Sequence, residues 1–201
     1  MPVIGLTGGP GTGKSAIAAM LADLGAVTLS ADAIAHRLLE PGQPIASRVA
    51  EVFGAGILTA DGGVDRRRLA RIVFSDEEAR RRLESLTHPA ILAELRRGIQ
   101  EVQRARGEGA VIVVEAPLLF EAGMEGWFHR IVAVAASREA QIRRLALRDG
   151  MPAQEAEQRI RAQMELGAKM RRAHIVIWNE ACLKEVKRRV GKIWPLLAGS
   201  V

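Results

Sequence analysis

Residues 3–15 read Val-Ile-Gly-Leu-Thr-Gly-Gly-Pro-Gly-Thr-Gly-Lys-Ser. An apolar, strand-like run from Val3 to Leu6 feeds into the pattern G-x-x-x-x-G-K-S at Gly8 to Ser15, and an alanine-rich helical stretch follows to Leu24. Strand, glycine-rich turn and helix are the context in which this spacing cradles a phosphate, the P-loop. Gly8, Gly9, Gly11 and Gly13 let main-chain N–H groups turn inward onto phosphate oxygens. Pro10 and Thr12 belong to the same turn, and Ala16 to the first turn of the helix. That helix adds the positive end of its dipole. Lys14 can bridge β- and γ-phosphates as a point charge, and Ser15 can offer its hydroxyl to Mg²⁺. The nucleotide-contacting set read from the motif is therefore Gly9, Pro10, Gly11, Thr12, Gly13, Lys14, Ser15 and Ala16.

Working outward, four more short apolar runs read as strands: Val27 to Leu29, Val111 to Val114, Ile131 to Val134 and Ile175 to Ile177. Five such runs separated by helical segments predict a doubly wound α/β fold with a five-stranded parallel sheet. A ligand then sits outside the carboxyl ends of the strands. About eighty residues lie between the second and third runs, far more than one crossover helix needs. They read as helices over 31–39, 44–53, 66–73, 76–86 and 89–104, an inserted helical region. Residues 137–172 read as an αα-hairpin broken at Gly150-Met151-Pro152 and rich in arginine.

The residues just after each strand carry the candidate chemistry. Asp32 follows the second strand, which is expected beside the P-loop strand. Its carboxylate suits a proton acceptor at the phosphate site or a group that reaches Mg²⁺ through water, and equally an N-cap for the next helix. Glu115 ends the third strand, like the carboxylate that helps hold Mg²⁺ in P-loop enzymes. Pro117, Leu118 and Phe120 look like a loop that packs either a substrate or the core. Arg144 and Arg148, four apart, share a helix face. Guanidinium groups there suit phosphate oxygens, although a solvated basic face is the commoner fate of such residues. His88-Pro89 opens the long helix, where a lone histidine is more often structural than catalytic.

Composition narrows the function classes. The 201 residues carry a net charge of +6, no tyrosine and only 3% aromatics. Base-stacking platforms for single strands are not expected. Basic residues spread through helices favour a polyanionic small substrate over nucleic acid. The lone cysteine, Cys182, excludes an intrachain disulfide or a cysteine metal cluster and is expected to be structural filler. No signal-peptide pattern and no run of ~18 apolar residues is present, so a cytoplasmic monomer without membrane partners is expected. The absence of Asn-Lys-x-Asp speaks against a GTP switch.

These segments together resemble the dephospho-CoA kinases. The similar stretches are Gly5 through Ser15, Ala31-Asp32-Ala33-Ile34-Ala35-His36, His88-Pro89-Ala90-Ile91, Pro117-Leu118-Leu119-Phe120-Glu121, and Gln141 through Arg148-Asp149 with Arg159-Ile160 and Gln163. Order and spacing hold from about residue 3 to 179. The resemblance implies a nucleoside-monophosphate-kinase-like fold: a core of residues 1–31, 108–136 and 173–201, a helical CoA-binding insert over about 32–107, and a lid over about 137–172. It implies ATP and dephospho-CoA as substrates, with Mg²⁺ as cofactor. It also implies Asp32 as general base, Arg144 as the lid arginine on ATP phosphates, and Asn179 in the loop bordering adenine. Lys14 and Arg144 join Asp32 as the catalytic set, Arg148 joins the ATP contacts, and Thr7, Asp32, His88, Pro117, Leu118 and Glu121 form the acceptor set. Ser15 is the direct metal ligand and Glu115 an outer-shell partner. The chain departs from the family's usual pattern at Ser30, at Ala173-His174 and at Trp178-Asn179-Glu180-Ala181; Trp178 is expected in the core.

Overall fold

The computed structural model describes residues 1–107 and 109–199. They form two compact units, one of Met1–Ser30 with Ile99–Val201 and one of Ala31–Gly98.

The first unit is built on five strands, β1 (Val3–Gly8), β2 (Val27–Ser30), β3 (Ile112–Glu115), β4 (Arg130–Ala135) and β5 (Ile175–Trp178). All pair in parallel, in the order β2-β3-β1-β4-β5. The expected neighbour of β1 is thus corrected: β3 stands between β1 and β2. The reason lies in the side chains. Ile112, Val113 and Val114 are fully buried, as a strand covered on both faces requires, whereas β2 carries Thr28 and Ser30 and keeps partial exposure. The register sets Glu115 between Leu6 of β1 and Ser30 of β2, so β2 and β3 finish level while β1 runs two residues further into the glycine-rich loop. Helices α1 (Lys14–Asp23) and α9 (Leu183–Ala198) belong to this unit, and Ile17, Leu21, Val186 and Val190 pack with Ile4, Leu6, Val113 and Val132 into one apolar core.

β5 is an edge strand. Ile177 and, less deeply, Ile175 pack inward, whereas Trp178 is 45% exposed with Val176 on the same face, so the tryptophan does not plug the core as expected. His174 clamps β5 to β4: its Nδ1 accepts from the Ile131 N–H at 3.0 Å, while its own backbone N–H donates to the Ile131 carbonyl at 2.9 Å. Cys182 is exposed at the N-cap of α9 rather than filling a core.

The arginine-rich segment holds three helices, α6 (Arg138–Asp149), α7 (Ala153–Arg161) and α8 (Leu166–Arg172), not a simple hairpin. Gly150 closes α6 in the left-handed region at φ 64°. Ser137 caps its start, accepting from the Ala140 N–H. The unforeseen break over 162–165 follows from a distant partner: the Met164 N–H donates to Glu121 Oε1 at 2.9 Å.

The second unit contains α2 (Ala31–Leu38), α3 (Pro44–Phe53), α4 (Arg66–Ser75) and most of α5 (Glu77–Arg106). Ile45, Val49, Ile57, Leu69 and Val73 form its core. Asp65 caps α4 by accepting from the N–H groups of Arg67 and Arg68. α5 is one helix where two were expected. Proline inside a helix costs about 3 kcal/mol relative to alanine. Here Leu83, Leu86 and Ala90 pack on the unit's core on either side of Pro89, and that burial offsets the cost. Thr87 and Ser85 also turn their hydroxyls onto the carbonyls of Leu83 and Arg82, at 2.9 and 2.8 Å.

Among the described residues, no helix is long and apolar enough to cross a membrane.

Candidate functional site

The site begins where β1 ends. Gly11 and Gly13 hold φ at 73° and 88°, the left-handed region open to glycine. A Cβ on Gly11 would also stand 2.6 Å from the Gln141 carbonyl oxygen, and one on Gly13 only 2.2 Å from Asn179 Nδ2. The loop is therefore bent and closely covered, and α1 starts directly behind it. Lys14 is 8% exposed, and its ammonium donates to the carbonyls of Gly8 and Gly9 at 3.2 and 2.9 Å. Ala16 lies exposed in the first turn, its N–H bonded to the Gly13 carbonyl. Thr12 is buried with its hydroxyl on the Gly9 carbonyl.

Ser15 and Glu115 come together across one hundred residues. The Ser15 hydroxyl donates to Glu115 Oε1 at 2.7 Å. A hydroxyl and a carboxylate at the mouth of a phosphate loop fit a Mg²⁺ ion. Among the described residues, no group of three or more His, Cys, Asp or Glu is placed to hold a metal. A hard divalent cation at this pair would take its other ligands from phosphate oxygens and water, as Mg²⁺ ordinarily does.

Arg144 from α6 reaches the same loop. Its guanidinium donates to the carbonyls of Gly11 and Thr12 at 3.3 and 3.1 Å, and to the Asn179 carbonyl. The Asn179 side chain donates to the Thr12 carbonyl at 2.9 Å. Arg144, Asn179 and the P-loop thus form one hydrogen-bonded group. Arg148 binds Asp149 through two contacts, at 2.7 and 2.8 Å. Asp149 also meets Arg159, and these contacts, Arg148 first, hold its carboxyl below the usual aspartate range. Glu180, next to Asn179, accepts from Ser137 at 2.6 Å, which lowers its pKa, with Arg144 and Arg143 adding to the effect.

The loop after β3 has a structural floor that sequence reasoning missed. Lys169 of α8 is fully buried. Its ammonium donates to the Pro117 carbonyl at 2.5 Å and pairs with Glu121 at 2.8 Å. Burial pushes the Lys169 pKa down, and the Glu121 carboxylate works against that shift. Thr7, also fully buried, donates its hydroxyl to the same Pro117 carbonyl at 3.2 Å. Leu119 and Phe120 belong to the core, while Leu118 is half-buried. Arg172 lies over the Phe120 ring at 4.5 Å. Lys169 sits in an unremarkable basic run, Lys169-Met170-Arg171-Arg172, and no local signal separates it from its neighbours.

Two candidates lie in the second unit. Asp32 is exposed in the first turn of α2, two residues past the end of β2. Its charge raises the pKa of His36, one turn on, but burial and then Arg66 outweigh it and leave that histidine lowered. His88 is half-buried within α5.

Comparison with known proteins places this geometry. The sequence model of CoaE, dephospho-CoA kinase, matches residues 2–185. The chain is 42% identical over 197 residues to the dephospho-CoA kinase of Moorella thermoacetica, covering 98% of this chain and 92% of that protein. It is 43% identical over 196 residues to the dephospho-CoA kinase of Geobacter sulfurreducens, covering 96% and 98%. Among solved structures it is similar to TT1252 from Thermus thermophilus, with a TM-score of 0.79, 36% identity and 98% of each chain covered.

Proposed function

Because this chain belongs to the dephospho-CoA kinase family, we propose that it transfers the γ-phosphoryl group of ATP to the ribose 3′-hydroxyl of dephospho-CoA, giving coenzyme A and ADP. The observation that carries this reading is the family match over residues 2–185 on a chain whose P-loop, Ser15–Glu115 pair and Arg144 meet at one end of the sheet.

In this mechanism the loop amides from Gly9 to Ala16 hold the β- and γ-phosphates, with the dipole of α1 behind them. Lys14 moves from its carbonyl partners onto the phosphates as a point charge. Ser15 and Glu115 would hold Mg²⁺, which neutralises charge on the β- and γ-oxygens when bound. Asp32 accepts the proton of the attacking 3′-hydroxyl. Arg144, held over the loop, stabilises charge on the transferring group, and Arg148 contributes from the same helix. Asn179 borders the adenine of ATP. His88, Leu118 and Glu121 contact dephospho-CoA, with Thr7 and Pro117 forming the floor beneath it. The segment from α6 to α8 acts as a lid that excludes water, a competing nucleophile.

The test is an ATP-dependent assay with dephospho-CoA as acceptor, with the product phosphate located on the 3′-oxygen. Transfer to another small alcohol, with none to dephospho-CoA, overturns the reading.

A further inference from the structure

Gln141 is 3% exposed, and its Nε2 donates to the Ala136 carbonyl at 3.1 Å. That bond fixes the carboxamide and turns Oε1 the other way, onto the P-loop: it lies 2.7 Å from the point where a Cβ on Gly9 would stand. Oε1 is buried and has no hydrogen-bond partner, and the same holds for Oε1 of Gln163, between α7 and α8. Both glutamines line one cavity of about 390 Å³ that Gly9 and Pro10 close on one side and Ile160 and Met164 help to wall. Buried acceptors without donors are uncommon, and two on one cavity call for a ligand that brings donors.

The chemistry of the lining selects that ligand. Neither oxygen can bind a phosphate or carboxylate, which offers no proton. The lining carries Arg138, Arg161 and Glu165, and both arginines share Glu157 at 3.5 and 3.1 Å, so no net charge there selects an ionic ligand. A neutral hydroxyl-bearing group beside an apolar wall is what remains. Gly9, on one side of the cavity, belongs to the loop that would hold the phosphoryl donor, so a sugar lined up to receive the γ-phosphoryl group would lie beside it. On the reading that this chain phosphorylates a ribose 3′-hydroxyl, we propose that the cavity is a ribose subsite and that Gln141 and Gln163 determine specificity within it. Gln141 accepts from the 2′-hydroxyl beside the reacting oxygen, and Gln163 supplies a second acceptor to the same sugar. The enzyme therefore distinguishes a ribose from a 2′-deoxyribose acceptor.

The experiment compares dephospho-CoA with its 2′-deoxy analogue on the wild-type protein, Gln141→Met and Gln163→Met. Wild type should favour the ribose acceptor by about tenfold or more in kcat/KM, the loss of one well-made hydrogen bond. Gln141→Met should bring the two acceptors to within about twofold of each other by lowering only the ribose value, with KM for ATP unchanged. Gln163→Met should lower kcat/KM for dephospho-CoA in the same direction, and it keeps the test alive if Gln141→Met does not fold. Equal use of both acceptors by wild type, or a ratio that survives in a folded Gln141→Met, overturns the subsite while leaving the kinase reading intact. No turnover of dephospho-CoA by wild type overturns the kinase reading, and the subsite falls with it.

Discussion

Replacing Lys169 with methionine tests the floor of the site most directly. The side chain is fully buried, and its ammonium holds two partners, Glu121 and the Pro117 carbonyl. Removing one member of a buried pair costs about 3–5 kcal/mol, because the other charge is left uncompensated. Here the low end applies. Glu121 keeps the Met164 N–H and is 23% exposed to water, and the Pro117 carbonyl keeps the Thr7 hydroxyl. A loss of about 3 kcal/mol corresponds to a fall in Tm of about 6–12 °C for a chain of this size. Lys169→Met with Glu121→Leu removes both charges and should recover most of that loss. The pH dependence has a definite sign. Burial holds the Lys169 pKa below 10.5 in the folded state, so between that lowered value and 10.5 the unfolded chain binds more protons. Lys169 therefore makes stability rise with pH across that window, and Lys169→Met should lack the rise. Thermal melts followed by circular dichroism, from pH 7 to 10, measure all three quantities. A single variant melting within 2 °C of wild type, or a double variant no better than the single, refutes the buried pair as the element that secures this loop.

Asp32→Asn should lower kcat by roughly 10²–10⁴-fold with little change in KM for ATP; near-normal turnover removes Asp32 from the role of base. Ser15→Ala should shift the Mg²⁺ activation curve to higher concentration, measured as rate against free Mg²⁺ at fixed ATP, and an unmoved curve assigns the metal to other ligands. Arg188, then Arg189, hold the Glu185 carboxyl down at about 2, so its contribution to stability is complete above 4.5 and is lost as pH falls toward about 2. Glu185→Gln should flatten the acid limb of Tm against pH, and parallel limbs for the two proteins would falsify the assignment.

The parts of the fold legible in the sequence are those written in local chemistry. Ile112, Val113 and Val114 announce a strand buried on both faces, and Gly8 to Ser15 announces the turn that follows β1. Strand order is not local. Nothing in the sequence of β2 states that β3 intervenes between it and β1; the short, partly polar β2 takes the outer position because the more apolar strand needs cover on both sides. The expected break at His88-Pro89 failed for a related reason, since proline's local cost was outweighed by Leu83, Leu86 and Ala90 packing on a shared core. Trp178 was misplaced because burial depends on whether β5 has a neighbour beyond it. Of the candidate site, motif position marked Ser15 and Glu115 each as residues to inspect at the strand ends, while the hydrogen bond between them is a product of the fold. Lys169 was not, because its partners Glu121 and Pro117 lie 48 and 52 residues away and its own surroundings in sequence are those of a solvated basic run.

Cys182 gives this architecture an experimental handle. It is the chain's lone thiol, exposed at the start of α9, three residues beyond the Asn179 side chain that grips the Thr12 carbonyl. A maleimide dye attached there needs no cysteine-free background and reports from one position. Its emission reports on the segment between β5 and α9, and a change on adding ATP would let nucleotide occupancy be titrated without a coupled assay or a labelled substrate.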